Sequence, residues 1–570
     1  GTVKEVSSDE YQDDNEGKKG QEKRAKLAVP DLQVGDLIDY FTYDFDVIKE
    51  DNLDPTLFIF CADYPILDYQ IHCAIDKNLC TQYRTMNGAP DFKSGKNGDN
   101  ITLDAHVKSI NKTLPDYAFN AIAQAPFTLL YVTNTNVGLY YTPESAKQKG
   151  LQANPDAKVI QKDAWQPWSD YKLKWTLYKK LNKVVKDAKK LKTDEEKADY
   201  VYNYMVMQTL LFKQPYENAY NFSTLFPSIL DRLKVEYGRG ITTSLYNEPL
   251  DQLINYSDAT RFIILKNGKC YFPLKQSVGA NIIPSIYQNR DALRTDKPKK
   301  FAKGPFTSFR IAGSNASDNI ETVDIDAAID GGMMNIRRQN TMSGCEKEDI
   351  IPIYTTAEEL VKAWGKPYEF TTFSDAYNYK ESEAKARAAE RAEQDKKDIP
   401  ENFAKEIKAY HDKAPVKING TKVLNFGENN LPFSYTVDYQ MDGLVKKAGR
   451  NIVVSVGQLF GQQTHIEGKA RKRDMDLIYD YPRSYSVTLN LNIPSGYSVA
   501  QESLQKLNNH IDNEAVRLTT KAEISDGKLV IIFQKVYKQQ RVPVAKWEQV
   551  LSMLDRAYEF TSQQIILKKK

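Results

Sequence analysis

The chain has 570 residues, too many for one hydrophobic core, so its length predicts two to four domains. Its 78 Lys and Arg nearly balance its 75 Asp and Glu, and this charge does not favour a dedicated nucleic-acid-binding protein. No apolar run reaches the roughly 18 residues that a membrane-spanning helix needs, so no transmembrane span is expected.

The chain has five cysteines, an odd number, and no repeated Cys-x-x-Cys spacing. This pattern argues against a disulfide scaffold and a structural zinc site, and no metal or other cofactor is predicted. If the protein is secreted, Cys73 could pair with Cys80, with Cys61 as a competitor. Because Gly1 replaces an initiator Met, we expect a trimmed chain, so a removed signal or lipid anchor stays open.

Residues 1–26 are polar and charged and are expected to be mobile or to form a poorly packed edge. After residue 27 the pattern changes to short apolar or alternating runs separated by turn residues, which is typical of strands. These runs predict a β-sandwich over residues 27–150, with strands at residues 37–45, 57–61, 69–74, 101–103 and 128–132.

Helical periodicity replaces the strand pattern after about residue 170. Thr193 and Glu196 have the spacing of a capping box, which predicts a helix start at this point. The helix that follows has one apolar stripe at the spacing of a helix face. A second helix is predicted from the apolar residues Leu225, Phe226, Ile229, Leu230 and Leu233.

Two apolar runs then flank the segment from Lys266 to Lys269. Its central pair, Asn267-Gly268, is the strongest short-range hairpin signal, because a two-residue turn of this type needs φ > 0 at both positions. Helices followed by antiparallel strands predict an α+β domain over residues 151–330.

Residues 331–415 are predicted to be a connecting region that contains a charged helical insertion, residues 378–406. We expect this helix to be solvated, with docking of a partner as the alternative. Residues 416–570 return to strands and predict a β-rich domain with two helices, residues 504–508 and 547–560. The predicted fold class is therefore a multidomain α+β protein: an N-terminal β-sandwich, an α+β core and a C-terminal β-rich domain.

Three parts of the chain resemble one known arrangement in Gram-negative envelope proteins. The run Leu27-Ala28-Val29-Pro30, continuing to Tyr40, resembles the β-domain that precedes a transglutaminase-like (papain-type) domain. The middle third resembles that transglutaminase-like core in element order. Arg483-Ser484-Tyr485 and Ile493-Pro494-Ser495-Gly496-Tyr497, with the helix at Trp547, resemble the β-domain that follows. The resemblance implies a periplasmic, outer-membrane-associated or secreted protein.

Active members of that family use a cysteine at a helix N-terminus, a histidine on the next strand and a carboxylate on the strand after it. Matching the apolar pattern of the second helix places Ala219 at the position of the nucleophile. The histidine would lie near Thr260, and the carboxylate near Tyr271. No histidine lies between residues 106 and 411, and no cysteine lies between residues 80 and 270. The resemblance therefore implies a vestigial site without catalytic residues, formed by Ala219, Asn221, Ser223, Thr260, Arg261 and Tyr271.

Pro227 bears on where the second helix begins. A helix that starts at Ala219 would hold this proline in its interior, at a cost of about 3 kcal/mol. A start at Ser223 or Thr224 would place it in the first turn, where proline is better tolerated. We therefore expect the helix N-terminus to have moved away from residue 219.

Several residues outside the vestigial site could carry chemistry. Cys270 is a possible reactive thiol, with a buried apolar role as the favoured alternative. His465 and Glu467 could bind a metal but lack a third ligand. His411 is expected to be solvated. Residues 469–473 form a basic cluster, expected to be a surface loop, with an anionic polymer contact as the alternative.

Three functions remain open at this stage. The favoured one is a non-catalytic transglutaminase-like protein that binds or scaffolds an envelope protein, peptide or glycan. The second is a cysteine protease or amidase with relocated residues, such as Cys270 with His465 or His510. The third is a structural subunit of an outer-membrane assembly.

Overall fold

The computed structural model describes most of the chain, namely residues 11–16, 22–27, 31–39, 55–62, 64–110, 115, 117–134, 148–165, 179–213, 219–274, 278–296, 304–376 and 381–570. Residues 1–50 and residues 51–570 are two compact units. Within the described residues, no helix is both long enough and apolar enough to cross a membrane.

The first unit contains an antiparallel hairpin of two strands, β1 (Tyr11–Glu16) and β2 (Glu22–Leu27). Part of the polar segment 1–26 is therefore paired, because backbone hydrogen bonds form a strand ladder whatever the side chains are. Most of the strand predicted at residues 37–45 lies outside the described residues, and its first three residues are not in a strand.

The second unit begins with the predicted β-sandwich. Its elements are β3 (Thr56–Ile59), β4 (Ile66–Asp76), β5 (Cys80–Met86), β6 (Lys93–Asn97), β7 (Asn100–Ile110), α1 (Ala121–Gln124), β8 (Phe127–Thr133) and β9 (Gly150–Ala153). The strands form two sheets, β3-β8-β5-β9 and β4-β7-β6. Side chains from both sheets share one apolar core, which includes Phe60, Ile71, Tyr83, Leu103, Leu130 and Val132.

None of the five cysteines is in a disulfide, so no bridge joins Cys73 to Cys80 or to Cys61. Cys73 lies on β4 and Cys80 begins β5, and these strands belong to different sheets.

The middle of the chain is an α+β region, as predicted. Its elements are α2 (Ala157–Trp165), α3 (Lys179–Ala188), α4 (Asp194–Phe212), α5 (Ala219–Leu233), β10 (Tyr237–Thr243), β11 (Ala259–Leu265), β12 (Cys270–Tyr271), β13 (Asp291–Thr295) and β14 (Thr307–Arg310). The five strands form one antiparallel sheet in the order β12-β11-β10-β13-β14.

Local signals in this region are confirmed in two places. The Thr193 side chain accepts a hydrogen bond from the Glu196 N–H, and the Glu196 side chain accepts one from the Thr193 N–H, which is the predicted capping box of α4. The hairpin between β11 and β12 also forms. Its turn differs from the prediction, because only Gly268 of the central pair has a positive φ, 90°.

The next part of the chain supplies two strands and a helical segment: β15 (Ile320–Asp330), β16 (Met333–Met342), α6 (Ile351–Tyr354), α7 (Ala357–Trp364), α8 (Phe373–Ala376) and α9 (Glu381–His411). The remainder consists of β17 (Lys417–Phe426), β18 (Phe433–Met441), β19 (Val445–Ala448), β20 (Asn451–Val454), β21 (Leu477–Ile478), β22 (Arg483–Asn492), β23 (Tyr497–Val499), α10 (Gln501–Lys506), β24 (Asn509–Asp512), β25 (Val516–Ser525), β26 (Lys528–Tyr537), β27 (Arg541–Val542), α11 (Trp547–Thr561) and β28 (Ile565–Lys569).

Eight of these strands form one sheet in the order β17-β18-β16-β15-β22-β26-β25-β24. Its centre is a parallel pair, in which β15 runs beside β22 with Ile325 opposite Leu489. The sheet joins residues on both sides of the boundaries predicted at residues 330 and 415. Two smaller sheets, β19-β20-β28-β23 and β21-β27, accompany it. One continuous apolar core extends from α3 through this sheet to β28.

The charged helix α9 is not simply a solvated insertion. Residues at helical spacing along one face, Ala384, Arg391, Asp395, Phe403 and Ile407, are buried. The interleaved charges of the sequence hid this face, because two of its buried residues are themselves charged. The side chains of Arg391 and Asp395 pair at 2.6 Å, and Asp395 also accepts a hydrogen bond from the Ala357 N–H at 2.9 Å.

The prediction that His411 is solvated is wrong. This residue ends α9, where its Nε2 lies 2.7 Å from the Tyr439 hydroxyl of β18 and its Nδ1 lies 3.2 Å from the Gln458 carbonyl oxygen. Burial, together with the nearby positive charge of Arg338, lowers the pKa of His411 to about 4.

Candidate functional site

The first residue of α5 is the position that the resemblance matches to a nucleophile. Helix α5 starts at Ala219 and contains Pro227 in its interior, so the prediction of a later start, at Ser223 or Thr224, is wrong. The side chains of Ala219 and Asn221 lie outside the described residues. The sequence itself still places a methyl group, rather than a thiol, at position 219.

Arg239 explains how α5 accommodates its proline. Pro227 has no N–H, so the carbonyl oxygen four residues earlier, that of Ser223, loses its helical partner. The Arg239 guanidinium, which projects from β10, donates a hydrogen bond from Nη1 to this oxygen at 3.0 Å. A neighbouring strand therefore replaces the hydrogen bond that the helix cannot make.

The space between α4, α5 and β12 is filled by aromatic rings. Phe222 and Phe226 stack on each other along α5 with centroids 5.4 Å apart. The ring of Tyr202, from α4, lies 5.8 Å from Phe226 and 5.3 Å from Tyr271 of β12. All four side chains are buried. This packing forms a core and leaves no substrate cleft among these rings.

The polar atoms of these tyrosines make structural hydrogen bonds. Tyr202 donates its hydroxyl hydrogen to the Phe272 carbonyl oxygen at 2.9 Å. The Tyr271 hydroxyl donates to Asp199 Oδ1 at 2.7 Å, and Lys269 binds the other oxygen of that carboxylate at 2.7 Å. Tyr271, at the place expected for the catalytic carboxylate, therefore anchors a strand to a helix.

The remaining residues that were predicted for this site have separate partners. Thr260 Oγ1 donates to the Tyr287 hydroxyl at 3.4 Å, and Arg261 Nε donates to the Ala164 carbonyl oxygen at 2.7 Å. Ser223 is buried in α5. No two of these side chains share a hydrogen bond in the part of the chain that the structure describes.

Cys270 lies beside this region, on β12 opposite Ile264. Its Sγ lies 3.4 Å from the Gly268 carbonyl oxygen, to which the thiol donates. Burial raises the pKa of Cys270 to about 12, so the nucleophilic thiolate is scarce at neutral pH.

The two histidines considered as partners for Cys270 have contacts elsewhere. His465 Nδ1 lies 2.8 Å from Glu467, and its ring stacks on Tyr558 at a centroid distance of 3.8 Å. His510 Nδ1 lies 3.3 Å from Thr519 Oγ1 on β25. Among the described residues, no group of three or more His, Cys, Asp or Glu side chains could hold a metal ion, and His465 with Glu467 gains no third ligand.

The basic cluster at residues 469–473 is largely structural. Arg471 binds both oxygens of Asp555 on α11, at 2.8 and 2.9 Å. Arg473 donates to backbone carbonyl oxygens at Ala118 and Asp476. These two arginines therefore join segments of the chain and are committed to those contacts.

A cavity of about 410 Å³ lies elsewhere in the second unit, and no sequence pattern predicted it. It is lined by the loop that precedes α1, by Tyr246 after β10, and by the chain from β21 into β22. The lining side chains and backbone come from Pro115, Tyr117, Ala118, Phe119, Tyr246, Ile478, Tyr479, Asp480 and Arg483. The 35 tyrosines of the chain did not predict it, because composition does not say which of them converge.

Comparisons with known proteins show similarity to a family and to solved structures. Residues 482–553 match the family of A-macroglobulin receptor binding domains. A solved structure of a candidate protease from Parabacteroides distasonis ATCC 8503 is 10% identical, with a TM-score of 0.43. That similarity covers 90% of this chain and 75% of the other chain. No curated protein matches the sequence.

Proposed function

We propose that this chain is a non-catalytic, transglutaminase-like binding or scaffolding protein of the bacterial cell envelope. In this proposal, the domains are a sandwich over residues 27–150, a degenerate core over residues 151–330, a connecting region over residues 331–415 and a closing β-rich domain over residues 416–570. The last three share the eight-stranded sheet, and the sandwich strands β3 to β9 all lie after residue 50. The full-length form could carry a lipid anchor, and the partner is an envelope protein, peptide or glycan.

The observation that carries this proposal is the loss of both the nucleophile and the space around it. Position 219 holds alanine, and the rings of Tyr202, Phe222, Phe226 and Tyr271 pack together beneath α5. Cysteine catalysis requires a thiolate held against an imidazole, usually with a lowered thiol pKa. Burial instead raises the pKa of Cys270 to about 12 and that of Cys80 to about 11.

A purely structural subunit of an outer-membrane assembly is the second candidate function. The packed aromatic rings favour it, because a filled core offers no ligand site at that place. The tyrosine-lined cavity favours binding instead, since a structural subunit has no need for a polar cavity open to solvent.

Hydrolysis assays on the purified chain test the proposal. We expect no release of product from casein-derived peptides or from bacterial cell-wall peptides, in the wild type or in the Cys270→Ala and Cys345→Ala variants. Hydrolysis by the wild type that Cys270→Ala abolishes, while Cys345→Ala retains it, would overturn the proposal and favour a relocated cysteine hydrolase.

A further inference from the structure

The cavity described above contains an arginine without a polar partner. The Arg483 side chain is half-buried at the start of β22, and its guanidinium lies over the rings of Tyr537 and Tyr479, 5.0 and 5.8 Å from their centroids. Within the described part of the chain, it makes no hydrogen bond or ion pair. A guanidinium has five N–H donors in a fixed fork, and here they face a cavity that is open to solvent, where a ligand can accept from them.

Several other arginines of the second unit pair with a carboxylate. Arg338 pairs with Glu406, Arg391 pairs with Asp395, and Arg471 binds Asp555 with two hydrogen bonds. Each is matched by a carboxylate of the chain itself. Others, such as Arg239 and Arg261, donate to backbone carbonyl oxygens instead. Arg483 has neither kind of partner among the described residues, and Glu346 acts on it only through its charge. Its N–H donors are therefore open to a group of a ligand, and a carboxylate is the group whose two oxygens fit a guanidinium best.

The cavity also carries a negative charge and several hydroxyl groups. Asp480 accepts a hydrogen bond from the Tyr246 hydroxyl at 2.6 Å, and the hydroxyl groups of Tyr117 and Tyr479 lie 3.4 Å apart. Tyr246 is half exposed, so the cavity is open to ligands on its side. One cation, one anion and aromatic rings together suit a ligand that itself has both charges and an apolar part.

We infer that this cavity binds a short peptide, with a carboxylate of the peptide on Arg483 and an apolar side chain against the tyrosine rings. The inference deepens the proposed binding function and rests on it. A neutral glycan would leave the Arg483 guanidinium unpaired. A polyanion would be repelled by Asp480 and by Glu346, whose charge acts on Arg483. The volume of about 410 Å³ accommodates one or two amino-acid residues.

Calorimetric titration of the wild-type chain with matched small probes tests this inference. The probes are the dipeptide Ala-Phe, its C-terminal amide Ala-Phe-NH₂, and galacturonate, a sugar that carries a carboxylate. We expect Ala-Phe to bind about ten- to a hundredfold more tightly than its amide, because the charged hydrogen bonds to Arg483 are lost with the carboxylate. The ring centroids of Tyr117 and Trp547 are 6.4 Å apart, so a change in tryptophan fluorescence gives a second measure of binding.

Substitutions in the cavity test whether the dipeptide binds at Arg483. Arg483→Gln should weaken the binding of Ala-Phe by about ten- to a hundredfold. The variant should then bind Ala-Phe no more tightly than Ala-Phe-NH₂. Arg337→Gln, which changes an exposed arginine of the same sheet, is the matched control and should leave affinity unchanged. If Arg483→Gln fails to fold, Tyr246→Phe provides the second variant, and its loss of the hydroxyl that holds Asp480 should weaken binding severalfold.

Equal affinity for Ala-Phe and its amide, tighter binding of galacturonate, or no binding of any probe would overturn the inference. Mass spectrometry of the recovered dipeptide separates this failure from a failure of the proposed function. Intact Ala-Phe without binding contradicts only the peptide site, whereas cleaved Ala-Phe contradicts the non-catalytic role.

Discussion

At the residue scale, Arg239 and Pro227 show how a proline is retained inside a buried helix. The proline removes one helical hydrogen bond of α5, and the arginine of β10 restores a donor to the Ser223 carbonyl oxygen. The helix can therefore begin at Ala219 although this start leaves Pro227 in the helix interior. Propensity arguments missed this arrangement, because the compensating residue lies 12 positions away on another element.

This compensation is testable as a coupling between the two residues. Arg239→Met should lower the free energy of unfolding by about 1–3 kcal/mol, because the buried Ser223 carbonyl oxygen loses its donor. In a Pro227→Ala background the cost should be smaller, by about 1 kcal/mol, since the backbone N–H that this substitution introduces can take over that bond. Urea unfolding of the four variants measures the coupling free energy.

Arg310→Met serves as the control for that cycle. Arg310 is an exposed residue of β14 in the same sheet, so its replacement should change stability by less than about 0.5 kcal/mol and show no coupling to Pro227→Ala. Strictly additive effects of Arg239→Met and Pro227→Ala would contradict the compensation.

At the scale of elements, α9 shows that a highly charged helix can belong to the core. Its buried pair, Arg391 and Asp395, contacts two other helices. Arg391 Nη1 donates to the Leu211 carbonyl oxygen at the end of α4, and Asp395 accepts from the N–H of Ala357 at the start of α7 and from Lys213 at 3.2 Å. The helix therefore joins α4 to α7, and its Glu406 pairs with Arg338 of β16 in the eight-stranded sheet.

Two substitutions in α9 compare a buried ion pair with an exposed one. Asp395→Ala should lower the free energy of unfolding by about 3–5 kcal/mol, because it leaves the Arg391 charge buried and unpaired. Glu401→Ala removes an exposed pair with Lys405 at the same four-residue spacing and should cost less than about 1 kcal/mol. Similar losses in the two variants, measured by urea unfolding, would show that α9 is a solvated insertion after all.

Elements with local signals were the predictable part of this fold. The capping box at Thr193 and the Asn267-Gly268 hairpin are encoded within a few residues, so the sequence alone reveals them. The turn type was less certain, because Leu265 and Lys269 close a longer loop through their own backbone hydrogen bond, 2.9 Å, and this loop needs a positive φ only at Gly268. The burial of α9 depends on distant partners, and its charges gave no sign of it.

At the scale of the whole molecule, long-range pairing decides the architecture. Strand β15 lies beside β22, although about 160 residues separate Ile325 from Leu489 along the chain. Nothing in the periodicity of either strand specifies this neighbour, and so the single eight-stranded sheet was not foreseen. The absence of a Cys–His pair in the middle of the chain could be predicted without the tertiary structure, because the positions of the cysteines and histidines in the sequence already show it. The cavity at Arg483 needed the tertiary structure, since its lining comes from three distant segments.

The central claim is that the chain has no activated cysteine thiol. Alkylation of the native protein with iodoacetamide, followed site by site with mass spectrometry from pH 6 to pH 10, tests it most directly. We expect slow labelling of Cys270 at neutral pH and a rate that rises about tenfold per pH unit through the whole range, because its pKa is about 12 and only the thiolate reacts. Rapid stoichiometric labelling of one cysteine at pH 6–7, with a rate that no longer rises above that range, would reveal an activated thiolate and contradict the account.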